Sequence, residues 1–421
     1  MKELETEYLI VGAGCSGLSF AQNLKNSEYI IVEKENEPGG YCRTIYKNGF
    51  VWDYAGHFFH FASEYWKEYF ERRIKKEEIV SVKKNTKIYY KGKLIDYPFQ
   101  KNIHQLEKEE FIECLFDLFF KTEKEEYNSF QEMLYGKFGK SISDKFLIPY
   151  NEKLYACDLN KLDCNAMGRF FPYANISEIL LNMKNTDNMS YNDSFLYPKN
   201  GAKTFVDVLL SDVKHSNILY NEELIDMDKE NHCAKTSNYI IKYKYLINTS
   251  PLNSFVKIVD KKYNKELLGC NKVLVFNLGF DKKSVKYNDV HWMYIPDKDI
   301  NFYRVGFYDN ILNQDRLSMY VEIGYEENSN IDIEKQLELT LKNLKKLGII
   351  EDQILIESWH CIMNPAYVYI SSEEKEYVHK KMEVYEKFDI YSVGRYGAWK
   401  YCSIEDCLIE ATQLAKKLKI I

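Results

Sequence analysis

"EYLIVGAGCSGLSFAQNLKNSEYIIVEKE", residues 7–35, decides the fold. An apolar run, Tyr8 to Val11, leads into Gly12, Gly14 and Gly17 in the spacing G-x-G-x-x-G. A helix with Leu18, Phe20, Ala21 and Leu24 as apolar positions follows, and then a second apolar strand. Each glycine has its own physical reason: the first permits the turn, the second lets backbone approach a pyrophosphate, and the third allows helix and strand to pack closely. The phosphates would lie over the free N–H groups and positive dipole end of that helix, where Ser16 also sits. Glu33 closes the second strand 21 residues after Gly12. There a carboxylate can accept hydrogen bonds from both ribose hydroxyls, and it disfavours a 2'-phosphate. This order of elements predicts a Rossmann-like dinucleotide site with Lys34 at its edge.

The rest of the chain sets bounds. Its 421 residues suffice for two or three domains and a large core. Apolar residues at 45% and charged residues at 29% exclude a wholly disordered or fibrous chain. With a net charge of -6 and basic residues scattered or in short runs such as "RRIKK" (72–76), nucleic acid is not an expected partner. The ten cysteines form no C-x-x-C pair and the histidines no zinc spacing, so reduced thiols and no metal site are expected. The N-terminus enters the motif without a signal-peptide core, and no apolar run approaches the ~20 residues that cross a bilayer. A cytoplasmic protein with no membrane span is expected, and a homo-oligomer is allowed.

Spacing alone does not separate FAD from NAD. The continuation "EKENEPGGYCRTIYKNGFVWDYAGHFF" (33–59) resembles the segment that follows the acidic residue in the flavoprotein superfamily of amine oxidases, protoporphyrinogen oxidase and UDP-galactopyranose mutase. Six further stretches resemble those of UDP-galactopyranose mutases, the eukaryotic type in particular, in the same order. They are "YPFQKNIHQL" (97–106), "FLIPYNEKLYA" (146–156), "MGRFFP" (167–172), "HWMYIPDKDINFYRVGFY" (291–308), "MNPAYVYI" (363–370) and "GRYGAWKY" (394–401).

The resemblance implies an α/β fold: a Rossmann-like FAD-binding domain of the glutathione-reductase-2 type, with an inserted helical domain and an antiparallel β-sheet domain. Residues 1–66, 200–252 and 389–421 would form the first, 104–190 the second, and 67–103 with 253–388 the third. FAD, active when reduced, would be held by Gly12, Gly14, Ser16, Gly17, Glu33, Lys34, Gly39, Gly40, Tyr41, Gly56, His57, Gly394, Arg395, Tyr401, Cys402 and Ser403. Ser403 is also a good N-cap for a closing helix, with Glu405 and Asp406 in its first turn.

The same resemblance implies a nucleotide-diphosphate sugar as substrate, UDP-galactose or a related activated sugar. Arg169 and Arg304 would clamp its pyrophosphate with charge-assisted hydrogen bonds, and Tyr294, Tyr367 and Tyr401 would complete that pocket. Phe146, Tyr150 and Asn151, with Tyr97 and Gln100, would take the base and ribose. Tyr155 stands where the family has Trp. The implied reaction interconverts pyranose and furanose rings for surface glycans (capsule or lipopolysaccharide, with galactofuranose as the family product), the reduced flavin N5 acting as nucleophile at the anomeric carbon. His57, in "DYAGHFFHFASEY" (53–65), would lie on the family's mobile loop beside the flavin, whereas His60 reads as core. An external electron donor, whether NADH, NADPH or reduced flavin, is implied and left open. The alternatives are an amine- or protoporphyrinogen-type oxidase, which has no need of a two-arginine clamp, and an inactive flavin-binding scaffold.

Overall fold

The computed structural model describes residues 1–184, 194–261 and 265–420. Its first strand, Lys2–Val11, is buried at its apolar end and pairs in parallel with Tyr29–Glu33 on one side and Tyr239–Asn248 on the other. Ile218–Tyr220 and Ile390–Ser392 extend the parallel sheet, and the hairpin strands Leu224–Asp228 and Cys233–Thr236 add an antiparallel flank. Near-continuous apolar runs such as "YLIV" suit strands covered on both faces. The helices Cys15–Ala21, Lys203–Ser211 and Ile404–Lys417 cover one face around Leu18, Phe205 and Leu408.

A second sheet of seven strands runs Leu355–Met363, Asn271–Phe280, Ser318–Glu326, Arg304–Phe307, Trp292–Tyr294, Thr86–Tyr90 and Lys93–Asp96. All its pairs are antiparallel except Trp292–Tyr294 against Thr86–Tyr90. The two-residue period of "LSMYVEIGY" sends Met319, Val321 and Ile323 into a core under the helix Ile333–Lys346. Tyr320 goes to the opposite face, into the core shared with the helical layer.

That layer contains Lys108–Phe120, Phe130–Ile142 and Ile148–Tyr155. Phe130, Leu134 and Phe138 are fully buried, as their four-residue spacing predicts. "FIECLFDLFF" differs from expectation. Cys114 and Leu118 face inward, while Ile112, Phe116, Phe119 and Phe120 are exposed, because only one stripe of this surface helix is covered.

The expected partition needs correction at its edges. Leu252–Asp260 and Ser372–Glu386, placed with the antiparallel sheet, instead pack Leu252, Phe255, Val256 and Tyr385 with Leu9, Val11 and Leu246 of the parallel sheet. Likewise Glu64–Glu71 buries Trp66 and Phe70 beside Leu18 and Phe205. In each case the helix follows the sheet face that its apolar stripe can cover. The end of the expected helical segment, 185–190, and residues 262–264 lie outside the described residues. Among the described residues no helix is long and apolar enough to cross a membrane, and no cluster of His, Cys, Asp or Glu could hold a metal ion.

Candidate functional site

A crevice opens where Lys2–Val11 ends. Gly12 has φ +102°, and a Cβ on Gly17 would come within 2.0 Å of the Gly12 carbonyl oxygen, so turn and helix can meet only as glycines. Gly14 differs, since a Cβ there meets nothing within 4 Å. It borders open space beside Gly40, whose own Cβ would stand 3.7 Å from the Gly14 Cα. Gly39 donates its N–H to the Ala13 carbonyl at 2.9 Å and fixes the Gly-Gly turn at the mouth.

Glu33 is buried and accepts from the N–H groups of Ala13 at 2.7 Å and Glu35 at 3.0 Å. Burial pushes its pKa up, against the pull of these donors and of Arg43. Each carboxylate oxygen keeps a lone pair for a ribose hydroxyl. Ser16 lies against Gly394, where a Cβ would come 2.1 Å from the serine Oγ. Lys34 is exposed. Glycine backbone around an open crevice and a buried acceptor at its far end fit a dinucleotide.

The closing helix brings its own start to this region. Ser403 and Asp406 form a reciprocal cap: the Asp406 N–H donates to Ser403 Oγ at 3.1 Å and the Ser403 N–H to Asp406 Oδ2 at 2.8 Å. The Cys402 carbonyl accepts from Arg395 Nη1 at 3.1 Å, and the Cys402 and Cys407 sulfurs lie 3.7 Å apart. The Arg395 guanidinium sits 4.6 Å from the Tyr401 ring and 5.5 Å from that of Tyr367.

Arg395 also borders a second, deeper space. Tyr97, Tyr150, Tyr294, Arg304, Tyr367 and His57 lie well inside the protein yet are only half-buried, so they line an interior cleft. Tyr97 meets Tyr294 at 5.2 Å and Tyr294 meets Tyr150 at 5.0 Å, while Tyr367 stacks on Tyr401 at 6.0 Å as a separate pair. Burial raises the pKa of Tyr97, Tyr150, Tyr294 and Tyr367, so their hydroxyls remain donors at neutral pH.

Arg304 is the cation among these rings. Its Nη2 lies 2.5 Å from Glu322 Oε1, while its Nε is buried without a partner among the described residues. Burial opposes the charge, but Glu322 holds the guanidinium protonated. His57 has an unpartnered buried Nδ1, and burial with Arg395 and Arg304 nearby lowers its pKa to about 4. It is therefore a neutral imidazole with one donor and one acceptor. His60 turns away and bonds the Ser194 carbonyl through Nδ1 at 2.9 Å.

Other predicted residues take different places. Arg169 is half-exposed, 2.6 Å from Asp406 on the closing-helix cap, with Phe170 edge-on to Tyr401. Its ion pair is with the closing-helix cap, whereas that of Arg304 is with Glu322. Phe146 was expected to stack on a base, but it is buried and already stacked with Phe99 and with Tyr150 at 5.1 and 5.2 Å. Tyr150 is the ring of that column that reaches the cleft. Gln100, Asn151 and Tyr155 are buried with an unpartnered Oε1, Oδ1 and hydroxyl respectively. The Tyr41 hydroxyl accepts from the Asn364 N–H at 2.9 Å, and Gly56 gives room to Tyr320, whose hydroxyl a Cβ would meet at 2.5 Å. Glu322, Tyr303 and Tyr320 went unpredicted. The signal for Tyr320 and Glu322 was the polar phase of "SMYVE" (318–322), which alternates against an apolar one.

Crevice and cleft together define a Rossmann-class dinucleotide protein with a second, polar pocket. The model of the NAD(P)-binding Rossmann-like domain family matches residues 10–73. The ferredoxin--NADP reductase of Acholeplasma laidlawii (strain PG-8A) is 33% identical over 92 residues, which span 21% of this chain and 27% of the reductase. More particularly, the fold is that of reduced UDP-galactopyranose mutase, whose crystal structure superposes with a TM-score of 0.91 at 22% identity over 99% of this chain and 94% of the other. A structure from Exiguobacterium sp. 255-15, provisionally assigned as a protoporphyrinogen oxidase, is similar with a TM-score of 0.78 at 16% identity over 100% and 99%.

Proposed function

We propose that this protein is an FAD-dependent mutase that interconverts the pyranose and furanose forms of a nucleotide-diphosphate sugar, UDP-galactose or a relative, for surface glycans. The observation that carries the reading is Arg304: a half-buried guanidinium held charged by Glu322, with Tyr320, Tyr367 and Tyr303 around it in the cleft, can take a diphosphate. A protonated amine would be repelled by that charge, whereas a diphosphate is held by it. When bound and reduced, FAD supplies the nucleophile for the anomeric carbon.

The chain's own residues do the rest. Gly14, Gly40 and Glu33 hold the dinucleotide. Arg304 takes up the negative charge that grows on the diphosphate as it separates from the sugar, with Tyr294 and Tyr367 donating hydrogen bonds. Arg169 closes the rim from the start of the 404–417 helix. The aromatic walls keep out water that would hydrolyse the sugar. Neutral His57 offers a hydrogen bond that does not change over the physiological range. An external reductant keeps the cofactor active.

The test incubates oxidised and dithionite-reduced protein with a panel of nucleotide sugars and separates ring-size isomers. Isomers from the reduced form alone support the mutase. Oxygen uptake on an amine or a porphyrinogen, with no isomer formed, would replace it with the oxidase reading.

A further inference from the structure

We infer that Lys153 is a positioning residue for the nucleotide cleft, its ammonium tying the helix that bears Tyr150 and Asn151 to the loop between Tyr294 and Arg304. Its Nζ donates to the carbonyls of Ile295 at 2.8 Å, Asp297 at 2.8 Å and Phe302 at 2.6 Å. Those three carbonyls span the segment joining strand Trp292–Tyr294 to strand Arg304–Phe307. One side chain therefore fixes how far Tyr294 and Arg304 stand from Tyr150. The same helix meets strand Ser318–Glu326 backbone to backbone, since a Cβ on Gly324 would come within 2.1 Å of the Lys153 carbonyl oxygen. That strand carries Glu322, so all three elements holding Arg304 converge at Lys153.

The number of donors matters. An ammonium has three N–H groups for three carbonyls, whereas a neutral amine has two and leaves one buried acceptor unmet. Burial lowers the Lys153 pKa to about 7, with Asp297 opposing. The other charges around it are engaged: Lys298 pairs with Glu152 at 2.8 Å, and Glu322 pairs with Arg304 and Tyr303. Asp299 lies on the same loop, its N–H given to Asp297 Oδ1 at 2.8 Å.

The choice of ligand rests on the mutase reading; the tie itself does not. UDP-galactose binding to dithionite-reduced protein, followed calorimetrically from pH 6 to 8.5 with melting temperature alongside, tests it. Wild type loses about tenfold in affinity across that range, as expected for one buried hydrogen bond. K153R, whose guanidinium stays charged, holds a flat profile, and K153M is weak and flat throughout. An alkaline loss that persists in K153R, or K153M binding as wild type does, overturns the inference. If wild type binds no UDP-galactose the mutase reading fails, and amide exchange then decides. Faster exchange across 295–303 in K153M than in wild type, at one pH, supports the tie, and equal protection overturns it.

Discussion

Arg304 and Glu322 stand directly opposite each other on antiparallel strands, and their side chains meet at 2.5 Å. Cross-strand register, not a loop, therefore aims the guanidinium, and Glu322 both charges and orients it. Removing either partner alone leaves a buried ion uncompensated, which costs about 3–5 kcal/mol. Arg304→Met and Glu322→Gln each lower the denaturant midpoint, and the double variant recovers part of the loss. Full additivity in that cycle would mean that the pair is not coupled.

Gly14 and Gly17 separate folding from binding. Gly17→Ala drives a methyl into the Gly12 carbonyl and lowers the melting temperature. Gly14→Ala has an ordinary φ of -76° and free space around it, so the cofactor-free protein melts as wild type does. The added methyl occupies the room the phosphates need, and FAD affinity falls by at least tenfold in a fluorescence titration. A Gly14→Ala protein purified with a full complement of FAD would remove the crevice as the binding site.

His57 does not titrate where ordinary histidines do. Its pKa is lowered to about 4, below the unfolded value of about 6.5. Its contribution to stability is thus fully present above pH 6.5 and is lost as pH falls towards 4. His57→Gln shows a melting temperature that depends less on pH between 6.5 and 4 than wild type. The proton spectrum of His57 stays that of a neutral imidazole at pH 6.

Glu374 behaves in the opposite sense. It is buried beneath Trp399, whose Nε1–H it accepts at 3.0 Å, and burial raises its pKa to about 8. Its contribution to stability is fully present below about pH 4.5 and is lost as pH rises through 8. The melting advantage of Glu374→Gln over wild type grows from pH 5 to 8 and levels off beyond. A constant difference would mean that the carboxyl is already ionised at neutral pH.

The sequence carries the dinucleotide half of the molecule most plainly, because glycine spacing, strand runs and the acidic end of the second strand are all local. The closing helix is equally legible through Ser403 and Asp406. The cleft is less so. Arg304 and Tyr294 follow from motif resemblance, but Glu322 lies on another strand, and only the register reveals it as the counter-ion. Phe146 misleads for the same reason, since nothing local says that Phe99 lies on it. Arg169 is legible only as a motif arginine, because its pairing with Asp406 joins residues far apart in the chain. The helices Leu252–Asp260 and Ser372–Glu386 were misplaced because an amphipathic stripe says that a helix packs, not on which sheet.

Lys2–Val11 has its longest pairing with Tyr239–Asn248, and Ile390–Ser392 then pairs with that second strand. On a ribosome making roughly 5–20 residues each second, the first strand waits tens of seconds with one edge open. Tyr29–Glu33 covers the other edge early. The nucleotide-binding turn thus emerges long before the strands that complete it. A chain cut before Ile390 would lack Ile390–Ser392, Arg395 and the 404–417 helix, and with them one wall of the crevice. Such a chain leaves the end of Tyr239–Asn248 without that strand partner, an open edge that invites pairing with another chain.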